Sequence, residues 1–326
     1  MIIANMGTTC DFRIINYKHM KQITAALLFV ALTAGSVAGN TPVDYDGPWK
    51  HADGPYGGSV WALHITGDDV IIAGTLSHGV YFSTDEGNSW LHSDLDNESV
   101  YDFAKGSGET IFAATQDGVY RSDNNGRSWQ RKSSGMDETR VQSVFVHESG
   151  RVFAATLVGG IYTSDDDGDS WGEANEGVPL NFAYALGAQA DGTMFAGITN
   201  RIFRSDDEGD TWTETESDFP NVRAHAIIAD NSGNLFVATQ DGVYRSDDDG
   251  SSWYATGNQF EDSGIYDLAL GEDNQLIAAT RKGVYVSGDE GETWESAGLT
   301  DHPVYSAASS RGITVVGGNP GVFIME

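Results

Sequence analysis

Short apolar runs recur along this chain, separated by Gly, Asn and Asp. One stretch reads Val100-Tyr-Asp-Phe103, then Thr110-Ile-Phe-Ala-Ala-Thr115, then Gly118-Val-Tyr-Arg121. Later stretches echo it: Leu235-Phe-Val-Ala-Thr239 with Gly242-Val-Tyr-Arg245, and Leu276-Ile-Ala-Ala-Thr280 with Gly283-Val-Tyr-Val286. β-Branched and aromatic runs of this length, bounded by turn residues, predict β-strand throughout.

A polar motif punctuates the runs. It reads Ser83-Thr-Asp85-Glu-Gly87-Asn-Ser89-Trp90 and returns ending at Trp129, Trp171, Trp212, Trp253 and Trp294, in steps of 39, 42, 41, 41 and 41 residues. A period in this range marks a repeat fold with one supersecondary unit per period. Three runs plus the strand opened by the Trp make four strands per unit, the sequence signature of a propeller blade.

The ends of the pattern set the blade count. After Trp294 a further unit, Val304-Tyr-Ser-Ala307, Thr314-Val-Val-Gly317 and Gly321-Val-Phe-Ile324, stops before its motif and fourth strand. Trp49 lies 41 residues before Trp90, in register with the motif tryptophans. We therefore expect an all-β, seven-bladed propeller of four-stranded antiparallel blades. Its last blade is closed by three C-terminal strands and one N-terminal strand, Pro48-Trp49-Lys50-His51, which removes two exposed sheet edges.

The pattern Ser-x-Asp-x-Gly-x-Ser/Thr-Trp resembles the Asp-box, or bacterial neuraminidase repeat. Five copies match at every defined position, and the second carries Asn124 for Asp. Asp and Asn side chains accept bonds from turn N–H groups, Gly adopts backbone conformations costly for other residues, and Trp buries a large ring. The motif is thus a structural corner. The resemblance implies the same fold, with the corners on the outer edge away from the ligand face. It leaves function open, because the family includes sialidases, xyloglucanases, sortilin-type receptors and a photosystem II assembly factor.

Lys18 and Lys21 precede a run without charges from Gln22 to Val43, whose apolar part, Ile23 to Ala38, is short for a membrane span. It ends in Ser36-Val37-Ala38, so we expect a secretory signal peptide over residues 1–38 and a single propeller domain over 39–326. Met20 is an alternative start, and an uncleaved anchor the alternative reading of the run. The sole Cys, Cys10, falls in the removed segment, leaving neither disulfide nor lipid-attachment Cys. The expected product is a soluble secreted or periplasmic monomer, with no membrane insertion after cleavage.

The whole chain carries a net charge of −30, and residues 39–326 hold 47 acidic and 15 basic residues, a net −32. Such a surface repels nucleic acid and anionic membrane, which excludes both as partners. Many acids sit in the corners and read as a solvated rim. The runs Asp165-Asp-Asp167 and Asp247-Asp-Asp249 lack the alternating ligand loop with terminal Glu that calcium uses. No metal and no cofactor is expected.

In a propeller, the loops from strand 4 to the next strand 1 and from strand 2 to strand 3 share one face, the default site. Aligning the seven first strands gives one position occupied by Trp61, Tyr101, Gln142, Tyr184, His225, Tyr266 and Tyr305. Such a ring could stack on sugars or pack between blades. Trp61, the only Trp outside the motif register, is the best single candidate for ligand stacking. The preceding position includes Arg140 and Arg223, and the strand 2–3 loops add Arg201, Arg281 and Lys282. These could recognise carboxylate or sulfate, or pair with acids such as Glu98, Glu261 or Asp262.

Catalysis finds little support in the motifs. Sialidases of this family carry a Phe/Tyr-Arg-Ile-Pro motif; Phe12-Arg13-Ile14-Ile15 lacks the Pro and precedes the signal segment. Family xyloglucanases work in a cleft between two propellers. Glycoside hydrolysis needs two carboxyl groups at a set separation, and Asp102 and Asp267, at equivalent positions of blades 2 and 6, are the weak candidates. His51, His78 and His302 come near the joined ends without a metal-ligand spacing. The expectation is a non-catalytic binding or assembly propeller whose ligand is a glycan or a protein. The alternative is a glycoside hydrolase or polysaccharide lyase acting on an acidic polysaccharide.

Overall fold

The computed structural model describes residues 45–326 apart from 57, 180–181, 216–217, 258–259, 261–262 and 326. The expected signal segment, and with it Cys10 and Phe12-Arg13-Ile14-Ile15, lies outside the described residues, as do Glu261 and Asp262. The described residues form seven four-stranded antiparallel sheets. Blade 1 contains Val60–Ile65, Ile71–Thr75, Val80–Ser83 and Leu91–His92. Blades 2 to 6 repeat it, their first strands being Val100–Lys105, Val141–Val146, Ala183–Ala188, Ala224–Ala229 and Ile265–Leu270. Blade 7 joins Val304–Ser310, Ile313–Gly318 and Gly321–Met325 to Trp49–His51, with Trp49 opposite Met325. The seven blades and their shared closing blade are those expected from the repeat. First strands of consecutive blades touch all the way round, blade 7 against blade 1 included.

The second strands explain why the apolar runs do not alternate. Every residue of Ile71–Thr75, Ile111–Thr115, Val152–Thr156, Met194–Ile198, Leu235–Thr239 and Leu276–Thr280 is buried. Each such strand has a neighbouring blade on both faces, and a strand buried on both faces reads as a continuous apolar run. The closing Thr of most of these strands shapes the turn that follows. Thr75, Thr115, Thr156, Thr239 and Thr280 each donate a hydroxyl to a carbonyl of the third strand at 2.8–3.0 Å.

The motif folds as a corner between strands 3 and 4. Asp85 accepts the Ser83 hydroxyl at 2.8 Å, the Ser89 N–H at 2.8 Å and the Ser89 hydroxyl at 2.6 Å, while Ser83 accepts the Gly87 N–H at 2.8 Å. The pattern repeats at Asp166, Asp207, Asp248 and Asp289. Asn124 keeps the amide-oxygen bonds but donates its own N–H to Ser128 at 2.8 Å. The Ser170 hydroxyl and N–H, with Ser164, hold the Asp166 carboxyl down at about 2.

The acidic corners are not merely a solvated rim, because arginines staple four of the six, those of blades 3 to 6, to the blade before. Arg121, Arg151, Arg204 and Arg245 donate to the carbonyls of Asp167, Glu208, Asp249 and Glu290 at 2.9, 2.7, 3.3 and 3.0 Å. These acceptors are the positive-φ residues immediately before the motif glycines of the next blade. The same guanidiniums pair with corner carboxylates, Arg151 with Asp165 and Asp210, Arg245 with Glu290. Asp165 and Asp247 therefore serve arginine, and among the described residues no group of three or more His, Cys, Asp or Glu is placed to hold a metal.

Two stability outcomes follow from this architecture. Trp49 is 6% exposed and donates its indole N–H to Ala297 at 2.7 Å, so Trp49→Ala should cost about 3–5 kcal/mol in urea unfolding of the full chain. A loss below about 1 kcal/mol would show that blade 7 does not depend on its N-terminal strand. Arg245 is 7% exposed, and Arg245→Ala should cost about 2–3 kcal/mol. Removing the exposed Arg201 should cost less than about 1 kcal/mol, and equal losses would contradict the staple.

Candidate functional site at the blade axis

In every blade, the pairing of the first strand with the second slips by one residue at the same place. The slips fall at Val60/Ala62, Val100/Asp102, Val141/Ser143, Ala183/Ala185, Ala224/Ala226, Ile265/Asp267 and Val304/Ser306. The residue inside each slip is a member of the aligned ring. β-Bulges re-aim side chains, and here all seven turn theirs toward the axis. Trp61, Tyr101, Gln142, Tyr184, His225, Tyr266 and Tyr305 line one axial cavity of about 380 Å³.

The ring is uneven. Trp61 lies flat on Tyr305 with centroids 5.0 Å apart, Tyr305 meets Tyr266 edge-on at 5.2 Å, and Tyr266 is parallel to His225 at 6.3 Å. An aromatic arc therefore runs through blades 5, 6, 7 and 1, already stacked on itself. Trp61 has one face covered by Tyr305, and its buried indole N–H has no partner among the described residues. Sequence reasoning treated stacking and packing as alternatives; the side chains do both, packing on each other while edging the cavity.

Of the five cations expected on this face, only Arg223 lines the cavity. Its guanidinium lies 4.8 Å over the Tyr184 ring, and one of its N–H groups points at His225 Nε2 at 3.1 Å. His225 Nδ1 lies 2.6 Å from the Ile265 carbonyl. A carbonyl can only accept, so Nδ1 carries the proton and Nε2 offers its lone pair to Arg223. Burial, aided by Arg223, lowers the His225 pKa, which keeps this tautomer neutral. Among the described residues, Arg223 has no carboxylate partner.

Arg140, Arg201 and Arg281 do not join it. Arg140 is paired with Glu138 at 3.1 Å, an acid two residues away rather than the Glu98 considered from sequence. Arg201 sits in a separate cavity with Phe219 and Asn221 and is paired across strands with Glu214 at 2.6 Å. Arg281 is exposed at the strand 2–3 turn of blade 6, where its backbone N–H bonds Ser263. His51 and His302 do come together, but as rings packed around Tyr45 and Phe323. His78 bonds Ser77.

Asp102 and Asp267 both line the cavity, one residue further along the first strand than the ring. Each ties its blade to the next. Asp102 accepts the Ser143 hydroxyl at 2.8 Å and the Val144 N–H at 3.1 Å; Asp267 accepts the Ala307 N–H at 2.9 Å. Burial pushes Asp102 up to about 6 against those bonds. Burial, with the Asp102 charge adding to it, pushes Asp267 up to about 7. The sequence placed the two at equivalent positions; their electrostatic contact depends on the closed ring.

Four large apolar residues were not among the expected site residues, although Phe182 stands at the position preceding the ring. Tyr56, Leu76, Val158 and Phe182 are 82, 39, 49 and 43% exposed. They sit in the strand 4–1 and 2–3 loops, on the face where the cavity opens. Their only sequence signal is an apolar residue inside a turn.

Seven blades around an axial cavity define a β-propeller. The chain belongs to the DUF6242 beta propeller domain family, whose model matches residues 95–232 and again 199–309. No curated protein matches the sequence. Solved structures do share the fold. YCF48 bound to a D1 peptide superposes with a TM-score of 0.68 at 17% identity, over 86% of this chain and 97% of that one. Catalytically inactive virginiamycin B lyase from Staphylococcus aureus with quinupristin gives 0.71 at 10%, over 84% and 98%. The GH74 xyloglucanase from Xanthomonas campestris gives 0.67 at 14%, over 86% and 53%. At these identities the likeness extends to the fold alone.

The raised aspartates have a measurable sign. Both native pKa values stand above the ordinary 3.8, so the native state binds more protons than the unfolded chain across that interval. The stability they confer is fully present below about pH 4 and is lost as pH rises through about 6 to 7. Side-chain carboxyl ¹³C shifts should show two aspartates titrating near 6 and 7. Midpoints near 4 for both would mean the channel is wet enough to leave them ordinary.

Proposed function

We propose that this propeller is a binding module that receives an extended segment of a partner protein at the mouth of its axial cavity. The observation that carries this reading is Arg223. It is oriented by Tyr184 and a neutral His225 and has no carboxylate partner among the described residues, in a chain of net charge −30. A guanidinium so held suits a carboxylate of the incoming segment. Tyr56, Leu76, Val158 and Phe182 ring the same face with exposed apolar surface, the composition of a protein-binding patch. The YCF48 structure with its D1 peptide supports a peptide ligand by analogy of fold. A protein is favoured over a glycan because the aromatic faces suited to sugars are partly spent on one another. With the signal segment of the sequence, the partner belongs to the secreted or periplasmic space.

One observation favours a second reading, a carbohydrate-active enzyme. Asp102 and Asp267 share the cavity with values near 6 and 7, so near neutral pH one is ionised while the other keeps its proton, as acid–base pairs require. Their bonds to the next blade give both a structural task as well.

A peptide array probed with the full chain, alongside neutral, sialylated, sulfated and uronic-acid glycans, separates the readings. Bound peptides should lose about tenfold or more in affinity with Arg223→Ala or Trp61→Ala, with little change in Tm. Retention of glycans without peptides would overturn the protein reading, and cleaved glycans would establish the enzyme. A large Tm loss in both variants would assign Arg223 and Trp61 to packing.

A further inference from the structure

Below the aromatic ring, the axial cavity contains an unneutralised pair of carboxylates. Asp102 accepts three hydrogen bonds, from Phe103, Ser143 and Val144, and Asp267 accepts two, from Leu268 and Ala307. A carboxylate offers about four lone-pair sites, so both keep acceptor capacity. Among the described residues neither has a cationic partner, although most arginines of this chain are engaged with carboxylates. The cation that lines the cavity, Arg223, is turned toward Tyr184 and His225. The approach to the pair passes Trp61, Tyr101, Tyr266 and Tyr305, rings whose negative faces attract cations.

We propose that Asp102 and Asp267 form a seat for an ammonium or guanidinium group that enters the axial cavity between those aromatic side chains. The inference rests on the peptide reading only for the source of the cation, which is then a Lys or Arg side chain of the bound segment; a free organic amine presents the same chemistry. The two charged ends of the site are thereby distinct, Arg223 taking an anionic group at the mouth and the aspartates a cationic one below.

Seating the cation couples to a proton. The carboxylic acid that the pair holds near neutral pH gives up its O–H proton to solvent, and the new carboxylate takes the N–H of the cation. The other groups that line the cavity with the aspartates are Tyr101 and Tyr266, each preceding one aspartate on its own first strand, and Tyr184, Arg223, His225 and Tyr305 around the ring. His64 and Lys105 lie on first strands further from the mouth. His225 is neutral in its bonded tautomer, and burial with Lys105 nearby lowers His64 to about 4. Asp102 and Asp267, at about 6 and 7, titrate between about pH 5 and 8, whereas His225, lowered by burial, is bonded to Arg223 and the Ile265 carbonyl rather than to either aspartate.

The test is calorimetric titration of the full chain with n-butylammonium, n-butylguanidinium and the neutral control 1-butanol. The cations should bind at least about tenfold more tightly than butanol. Their affinity should fall as pH drops from about 8 to 5, approaching tenfold per unit once the pair is protonated. Buffers of different ionisation enthalpy should report proton release. Asp267→Asn and Asp102→Asn should each abolish the preference for cation over butanol. Should either variant fail to fold, the pH and buffer series on the unaltered chain decides alone. Equal binding of butylammonium and butanol, or affinity independent of pH, overturns the seat. Peptides with Lys replaced by norleucine separate the sources: weaker binding supports a side chain of the segment. Equal peptide binding beside tight butylammonium binding supports a free amine and leaves the seat standing. Peptide binding unaffected by either aspartate variant, together with equal binding of butylammonium and butanol, overturns the seat while leaving the peptide reading intact.

Discussion

The approach of the motif glycines to the blade before them, in blades 2 to 6 to its second strand, governs the rest of the structure. A Cβ on Gly126 would lie 2.7 Å from Ile72, and one on Gly209 only 2.4 Å from Phe153. Both glycines also hold φ near +78°, a conformation other residues adopt at a cost. The two requirements coincide because the corner must turn tightly where the neighbouring sheet is nearest. Those second strands are buried on both faces, so the corner contact sets how closely one blade leans on the next. The arginine staples reinforce the same contact from outside, with Arg245 donating to the residue just before Gly291. Six such contacts, with blade 7 completed by its N-terminal strand, close a ring whose spacing leaves the axis unfilled.

What lines that axis follows from a second constraint, the bulge in each first strand. A regular strand buried between blades would direct alternate side chains to its two neighbours. The extra residue breaks the alternation once per blade and gives the protein seven side chains that belong to no blade core. Five are Trp, Tyr or His packed against one another or under Arg223, leaving Tyr101 and Gln142 as the less crowded side. The asymmetry of an otherwise sevenfold hub lies in these residues and in the two aspartates beside them, so chemistry at the axis is decided by side chains on an invariant frame.

The repeat period and the apolar runs sufficed for the blades, the closing strand and the ring position, because each is a local pattern recurring at fixed spacing. Distances between repeats were not legible. Arg140 and Arg201 look like free cations on the ligand face until the fold places Glu138 and Glu214 against them. Asp102 and Asp267 are 165 positions apart in sequence and interact only because the ring brings blades 2 and 6 to the same axis. The staples left a trace that was passed over: Arg121, Arg204 and Arg245 each stand immediately before a motif Ser. That periodicity looked like strand composition until the next blade supplied the acceptor.

The distribution of charge links the two faces. An acidic propeller with few cations has committed four arginines to its corners, where Arg151 alone serves Asp165, Asp210 and the Glu208 carbonyl. On the opposite face Arg223 is left to a ring and a neutral imidazole, both poor substitutes for a counter-ion. Below it the aspartates give up charge rather than go unpaired, since burial without a partner raises a carboxyl pKa. A ligand supplying an anion to one and a cation to the other would relieve both conditions. The axial cavity is therefore most complementary to a chain carrying opposite charges a short distance apart, a property of peptides more than of acidic polysaccharides.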